Sequence, residues 1–422
     1  MTFTLESYYN PYLSPGADRV DAILTVTSSG STVSGGEAVI GLILDTSGSM
    51  GGDRIEAVKE AASRAVSLLG DDDWFFIAGF SSHVMTIAPL AQATAQNKAA
   101  AIQQVRRIAA SGGTCMSLGL QLAREIFNQK PDAGHQALFL TDGKNNEEDD
   151  AALETTLQSC MGVFQCDCRG VGTDWQVKQL KQISRALLGS SQIIAEPGGM
   201  EADFHAAITQ AINRGVRDVR LRLWTPKSAH VVSVKQMSPE IAVLTDRRLP
   251  VDAQSADYPT GAWGQESRDF HVTFELATPG AAGDEMLAGR PSLIYEESGQ
   301  IQELKAPDAR ILASWTADDS LSARINAQVA HYTGQEELAQ VIQQGLEARA
   351  QGDTEGATKL LGRAAQIAKQ SGHDETMVRL SKVVDIVDAD HGTVRLKKAV
   401  NKADEMDLDL GSTRTAPVRR KL

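Results

Sequence analysis

Asp45-Thr46-Ser47-Gly48-Ser49-Met50 puts one carboxylate and two hydroxyl donors into a single short loop. Oxygen donors of this kind suit a hard cation, Mg²⁺ or Mn²⁺, and not zinc. Gly48, Gly51 and Gly52 allow the backbone to turn sharply beside them. Two later segments can complete the shell. Ser111-Gly112-Gly113-Thr114 offers another hydroxyl, and Leu140-Thr141-Asp142-Gly143 another carboxylate. Mg²⁺ demands near-octahedral geometry and usually keeps waters or takes ligands from outside the protein. One site with few carboxylates therefore leaves an open position, which an acidic group from a partner could fill. The competing reading makes Ser47, Ser49 and Thr114 simple helix caps. It leaves unexplained why two aspartates end strands of the same sheet.

These residues need a scaffold that brings three loops to one point. Ala38–Leu44 is a continuous apolar run ending at Asp45, the pattern of a strand buried on both faces. A helix over Asp53–Leu69 follows, with Ile55, Val58, Ala62, Val66 and Leu69 on one stripe. Strands are predicted at Trp74–Phe80, His83–Ile87 (a short edge), Ala137–Thr141, Gly162–Gly170 and Gln192–Ala195. Helices are predicted at Asn97–Ala109, Ser117–Asn128, Asp150–Cys160, Trp175–Leu187 and Glu201–Asn213. This alternation implies an α/β doubly wound (Rossmann-like) sheet, whose ligands bind outside the carboxyl ends of the strands.

With that context, Val39–Met50 (VIGLILDTSGSM) resembles the start of a von Willebrand factor A domain. The family's metal-ion-dependent adhesion site follows the pattern Asp-x-Ser-x-Ser, then Thr, then Asp. Asp45, Ser47 and Ser49 match the first loop, Thr114 the second and Asp142 the third. The resemblance covers about residues 37–214 and implies Mg²⁺ or Mn²⁺ bound at these five positions. Asn10–Leu13, Val20–Val26 and Cys166–Trp175 (CDCRGVGTDW) further resemble a bacterial, chiefly actinobacterial, cytoplasmic subfamily. There the A domain is followed by β-rich and helical regions. Its members are often encoded beside Ser/Thr kinases, phosphatases, forkhead-associated proteins or tellurium-resistance-type proteins, which implies signalling or stress response.

Beyond Gly215 the pattern changes to short β-like runs such as Val219–Trp224, Val231–Lys235, Ala242–Leu244, Phe270–Leu276, Ser292–Tyr295 and Ile311–Trp315. Pro, Gly and Asp separate them, as in a β-sandwich. Val20–Thr27 alternates like a strand and is expected to join that unit. The predicted organisation is 1–36 joining the sandwich, 37–215 the A domain, 216–318 the β-sandwich-like domain, 319–400 helical and 401–422 a flexible tail. Glu347–Gly372 resembles one tetratricopeptide-like helix pair, but a plain helical hairpin explains a single unit better.

Composition narrows the function. Lys+Arg total 41 and Asp+Glu 54, a net charge of −13. That argues against sequence-independent nucleic-acid binding, which needs basic phosphate contacts. No apolar run approaches the roughly 20 residues of a membrane span. The N-terminus lacks the pattern of a secretory signal. Cys115, Cys160, Cys166 and Cys168 read as buried thiols in a reducing compartment, so a cytoplasmic location is expected. No P-loop and no Gly-x-Ser-x-Gly elbow is present. Asn145–Asp150 (NNEEDD) reads as a solvated loop and helix start, where acids favour the dipole.

The leading expectation is a non-enzymatic scaffold whose Mg²⁺ takes an Asp or Glu from a protein partner. Thr413 and Thr415, beside Arg414 in the tail, would accept phosphate and offer a handle to a phosphothreonine reader. The alternative is the metal-dependent subunit of an ATP-driven assembly, with a MoxR- or chelatase-type ATPase in trans. A metallohydrolase is disfavoured because no His or Lys base accompanies the motif, although metal-bound water can be a nucleophile.

Overall fold

The computed structural model describes residues 1–30, 37–297 and 299–415. The chain divides into two compact units, Thr32–Gly215 and Met1–Ser31 with Val216–Leu422.

The first unit is a six-stranded sheet in the order Val84–Gln92, Trp74–Phe80, Ala38–Asp45, Gly134–Thr141, Gln165–Val171, Ser191–Ile194. Only the Val84–Gln92 edge is antiparallel to its neighbour. It runs to Gln92, well past the short edge predicted from sequence. Chain order reverses between Ala38–Asp45 and Gly134–Thr141, so their carboxyl ends flank the crevice where such sheets bind ligands. The central strand is buried on both faces. On one, Ile40, Leu42 and Leu44 pack with Ile55, Val58 and Val66 of the Asp53–Leu68 helix and Phe204 and Ile208 of the Met200–Ile212 helix. On the other, Gly41 makes room for rings. A Cβ there would lie 2.5 Å from Phe76 and 2.9 Å from Phe127, which pack edge to face.

A buried ion network stiffens the far strands. Asp167 accepts from the Ser190 amide and hydroxyl, both at 2.8 Å, and pairs with Arg214 at 3.2 Å. Burial alone raises its carboxyl pKa, but Arg214, Arg169 and Ser190 outweigh burial and hold it below the ordinary 3.8.

In the second unit, Thr2–Tyr9, Arg19–Ser29, Ser267–Leu276, Ala229–Ser238 and Ala242–Val243 form one antiparallel sheet in that order. A second sheet runs Leu249–Pro250, Ser255–Trp263, Val216–Trp224, Glu285–Glu297, Ile311–Trp315, Tyr12–Leu13, with Gln300–Lys305 beside Glu285–Glu297. The two sheets pack through aromatic rings. Phe3 of the first meets Trp263 and Tyr295 of the second, with ring centroids 5.7 and 4.8 Å apart. The first 30 residues thus supply strands to both layers. The helices Ala327–Ala350, Thr354–Gln370 and Asp374–Val383 follow. Tyr332 anchors the first of them by donating to the buried Asp269, which also accepts from Thr25.

Two expectations are corrected here. The span 319–400 is not all helical: Val384–Asp388 pairs with Thr393–Leu396 as a hairpin. Helix Thr354–Gln370 packs against its turn, where a Cβ on Gly362 would lie 2.1 Å from the Gly392 carbonyl. Nor is 401–415 a flexible tail. Lys402–Gly411 is a helix, capped by Asn401 and burying Met406, Leu408 and Leu410. Its acids face basic neighbours: Glu405 meets Arg349 at 2.7 Å, Asp404 meets Lys382 at 3.2 Å and Asp407 meets Arg379 at 3.4 Å. Thr413 is only 3% exposed and donates to Glu240 at 2.7 Å. Thr415 donates to the Met237 carbonyl at 2.5 Å. A phosphate on either would first need this segment to detach. Residues 416–422, including Arg419, Arg420 and Lys421, lie outside the described residues. Among the described residues, no helix is long and apolar enough to cross a membrane.

Asp167→Asn leaves Arg214 without its buried counter-charge, while Arg169 keeps Asp203 at 2.6 Å. It is expected to cost about 3 kcal/mol at pH 7. Because the folded-state pKa is depressed, this stability is present above about pH 3.8 and is lost as pH falls below it. Urea unfolding between pH 7 and 3 should therefore show a flatter acid dependence for the variant.

Candidate metal centre

Asp45 ends the central strand and is fully buried. Its Oδ1 accepts from the Ser47 amide at 2.8 Å, and its Oδ2 from the Thr141 hydroxyl at 2.5 Å. Burial is the largest influence on this carboxyl and pushes its pKa up to about 6, against the hydrogen bonds from Thr141 and Ser47. The Ser47 and Ser49 hydroxyls lie 3.0 Å apart, and Ser49 donates to Asp142 Oδ1 at 2.7 Å. Asp142 is fully buried, while Ser49 is exposed at the rim. Thr114, 2% exposed, comes from the second loop. A Cβ on Gly143 would lie 3.0 Å from the Thr114 hydroxyl and 3.4 Å from that of Ser49. Both hydroxyls therefore border one point at the end of the Gly134–Thr141 strand. All five residues singled out in the sequence belong to one rim.

Backbone bonds stitch the loops together. Gly48 N–H donates to the Gly112 carbonyl at 2.9 Å, and Ser111 N–H to that of Thr46 at 2.8 Å. Gly113 N–H donates to the Ser82 hydroxyl at 2.7 Å.

The helix-cap alternative fails on geometry. The Asp53–Leu68 helix has Gly52 at its N-cap and the Met116–Phe127 helix has Cys115, neither with a side-chain cap bond. Ser47 precedes the short Gly48–Met50 turn and also makes no capping bond. The capping is done by the acidic loop. Asn146 accepts from Thr114 N–H at 2.9 Å, Asn145 from Met116 N–H at 3.0 Å, and Glu148 from Ser117 N–H at 2.9 Å. These satisfy amides that a helix start leaves open. Asp149 caps the Asp150–Cys160 helix, accepting from Ala152 N–H at 2.8 Å.

Sequence reasoning missed Thr141, Asn145, Asn146 and Arg54. Thr141 was quoted only as the neighbour of Asp142, although strand-end hydroxyls beside a buried carboxylate are a usable signal. Arg54 pairs with Asp142 Oδ2 at 2.5 Å and reaches Asp174 at 3.3 Å. Nothing in its spacing marks it, because the contact closes 88 residues apart.

The donor set fits a hard divalent ion: two buried carboxylates and three hydroxyls on one rim. Among the described residues, no group of three or more His, Cys, Asp or Glu could hold a metal. An ion here therefore relies on the hydroxyls. The four cysteines are buried and free, and Cys115 directly follows Thr114.

Thr141→Val removes the hydroxyl that Asp45 Oδ2 accepts from and keeps the shape. It should cost about 1–3 kcal/mol, since a buried carboxylate loses a donor. Urea unfolding in EDTA measures this without any ion contribution.

Comparisons with known proteins give the family and the fold. Residues 40–144 match the von Willebrand factor type A domain, and residues 366–412 its type A C-terminal domain. The latter match spans the hairpin and final helix that the sequence had suggested otherwise. A solved von Willebrand factor type A structure from Catenulispora acidiphila is 41% identical, with 99% of this chain and 97% of that one covered, at a TM-score of 0.92. The ArnB paralog VWA2 from Sulfolobus acidocaldarius, 16% identical, shares the fold over 98% of both chains at a TM-score of 0.62. An uncharacterised Synechocystis sp. protein is 31% identical over 48% of this chain. The chain spans 49% of that protein's length, and 21% of the Sus scrofa inter-alpha-trypsin inhibitor heavy chain H1, which is 28% identical over 43% of this chain. With near-complete coverage of the Catenulispora structure at this identity, the chain belongs to the von Willebrand factor type A family, and its fold is an A domain joined to a β-sandwich-like region and a C-terminal helical region.

Proposed function

We propose that the protein is a non-enzymatic interaction module that captures an acidic partner through a divalent ion. Domains of this family generally mediate protein–protein interaction. The observation that carries the reading is the convergence of Asp45, Ser47, Ser49 and Asp142 from two strand-end loops with Thr114 from the loop between the Ala95–Val105 and Met116–Phe127 helices. These residues would hold Mg²⁺ or Mn²⁺, directly or through water. The bound ion would supply an open coordination position to a partner Asp or Glu. The residues of the chain do the positioning. Thr141 and the Ser47 amide hold Asp45 in place, and Asn145, Asn146 and Glu148 set the second loop.

Kinase, phosphatase or forkhead-associated partners, implied by resemblance, are candidates on the same footing. A cytoplasmic site of action fits the four buried thiols. Neither the geometry nor the relatives favour the alternative of a subunit serving an ATPase in trans.

The test is affinity capture from native lysate in Mg²⁺, in EDTA, and with Asp45→Ala. Partners are expected to be retained in Mg²⁺ and lost in both other arms, with the variant still folded by circular dichroism. Retention in all three arms overturns the metal-dependent mechanism.

A further inference from the structure

Arg54 stands in the first turn of the Asp53–Leu68 helix, and its guanidinium divides between two carboxylates. Nη1 pairs with Asp142 Oδ2 at 2.5 Å, and Nη2 reaches Asp174 Oδ2 at 3.3 Å. The two acids differ in kind. Asp142 has no exposed side-chain surface, whereas Asp174 is 64% exposed. Gly172 lies against the same group, with a Cβ position 3.3 Å from Nη2. A permanently charged side chain is thus built into the rim, on the one carboxylate that Ser49 also contacts.

We propose that Arg54 is a resident counter-charge that opposes the ion at this site. It does so in two ways. It occupies the second oxygen of Asp142, so that only Oδ1 is left for the ion and for Ser49. It also repels any cation bound beside Asp142. Asp174, the guanidinium's other partner, is 64% exposed, so water screens its charge more than that of the buried Asp142. The inference rests on the metal-binding reading above and names what tunes it.

The experiment is Mn²⁺ titration of the full-length chain, followed by electron paramagnetic resonance of free Mn²⁺, for wild type, R54Q and R54K. Thermal unfolding in EDTA checks that each variant is folded. R54Q is expected to bind Mn²⁺ about tenfold more tightly than wild type, as removal of a neighbouring like charge requires. R54K keeps the charge and should stay within about threefold of wild type. Binding by R54Q with none by wild type supports the counter-charge but removes the metal reading of the wild-type chain. Unchanged or weaker binding by R54Q overturns it while the metal site itself stands. Equal tightening in R54Q and R54K overturns it too, because guanidinium shape and not charge would then be responsible. No binding by any of the three removes the metal reading and this inference together.

Discussion

The first unit turns on one buried carboxylate. Asp45 sits at the carboxyl end of the central strand, where a charge has no access to water. Desolvation disfavours its ionised form, and the Thr141 hydroxyl and the Ser47 hydroxyl and amide offset that cost in part. An uncompensated buried charge is among the most expensive features a fold can carry. The Gly134–Thr141 strand must therefore lie in register beside Ala38–Asp45, so that Thr141 reaches Asp45. The same constraint brings Asp142, the next residue, to the rim. The positions of both carboxylates thus follow from one strand pairing.

The second loop depends on a different device. Thr114 must be presented without its own helix cap, because its hydroxyl faces the rim. The Met116–Phe127 helix would then begin with unsatisfied amides, which cost free energy when buried. Asn145, Asn146 and Glu148 supply acceptors from across the crevice. The acidic NNEEDD segment is thereby structural in its first half and a helix cap in its second. Its position just after Asp142 ties the second and third loops together.

Much of the A domain was legible in the sequence because its signals are local. Trp74–Phe80 and Asp150–Cys160 fall where the apolar pattern put them. The five oxygen donors could be named because each sits in a short loop segment of distinctive composition, four of them just past a strand end and Thr114 between two helices. What escaped depends on contacts distant in the chain. Arg54 and Asp142 meet only through the sheet. Thr2–Tyr9 and Ser255–Trp263 were not identified as strands, although Thr2–Tyr9 shows an alternating exposed–buried pattern in its first half. The C-terminal hairpin was missed because helical periodicity in Thr354–Gln370 was extended past its end. Val384–Asp388 alternates Val, Asp, Ile, and the turn before Thr393 contains Gly392 at φ +66°. Those are hairpin signals. The final segment was expected to be a flexible tail, yet its Asp404, Glu405 and Asp407 each have a basic partner on a preceding element.

The donor set also explains why an ion would bind reversibly. Without one, Ser47 and Ser49 hydrogen-bond each other, Ser49 donates to Asp142, and Asp142 has Arg54. These groups are already paired, so a cation gains coordination bonds only by displacing hydrogen bonds. Hydroxyls are weaker ligands than carboxylates, and the number and charge of ligands set the affinity of oxygen sites for hard cations. A site with three carboxylates in place of the hydroxyls would hold its ion tightly and leave it little capacity for an outside ligand. With two carboxylates and three hydroxyls, an ion held here would be underbonded and still electrophilic. An incoming Asp or Glu carboxylate would then contribute what the rim withholds. In such an arrangement partner binding and ion binding would strengthen each other, since each would supply charge that the other lacks.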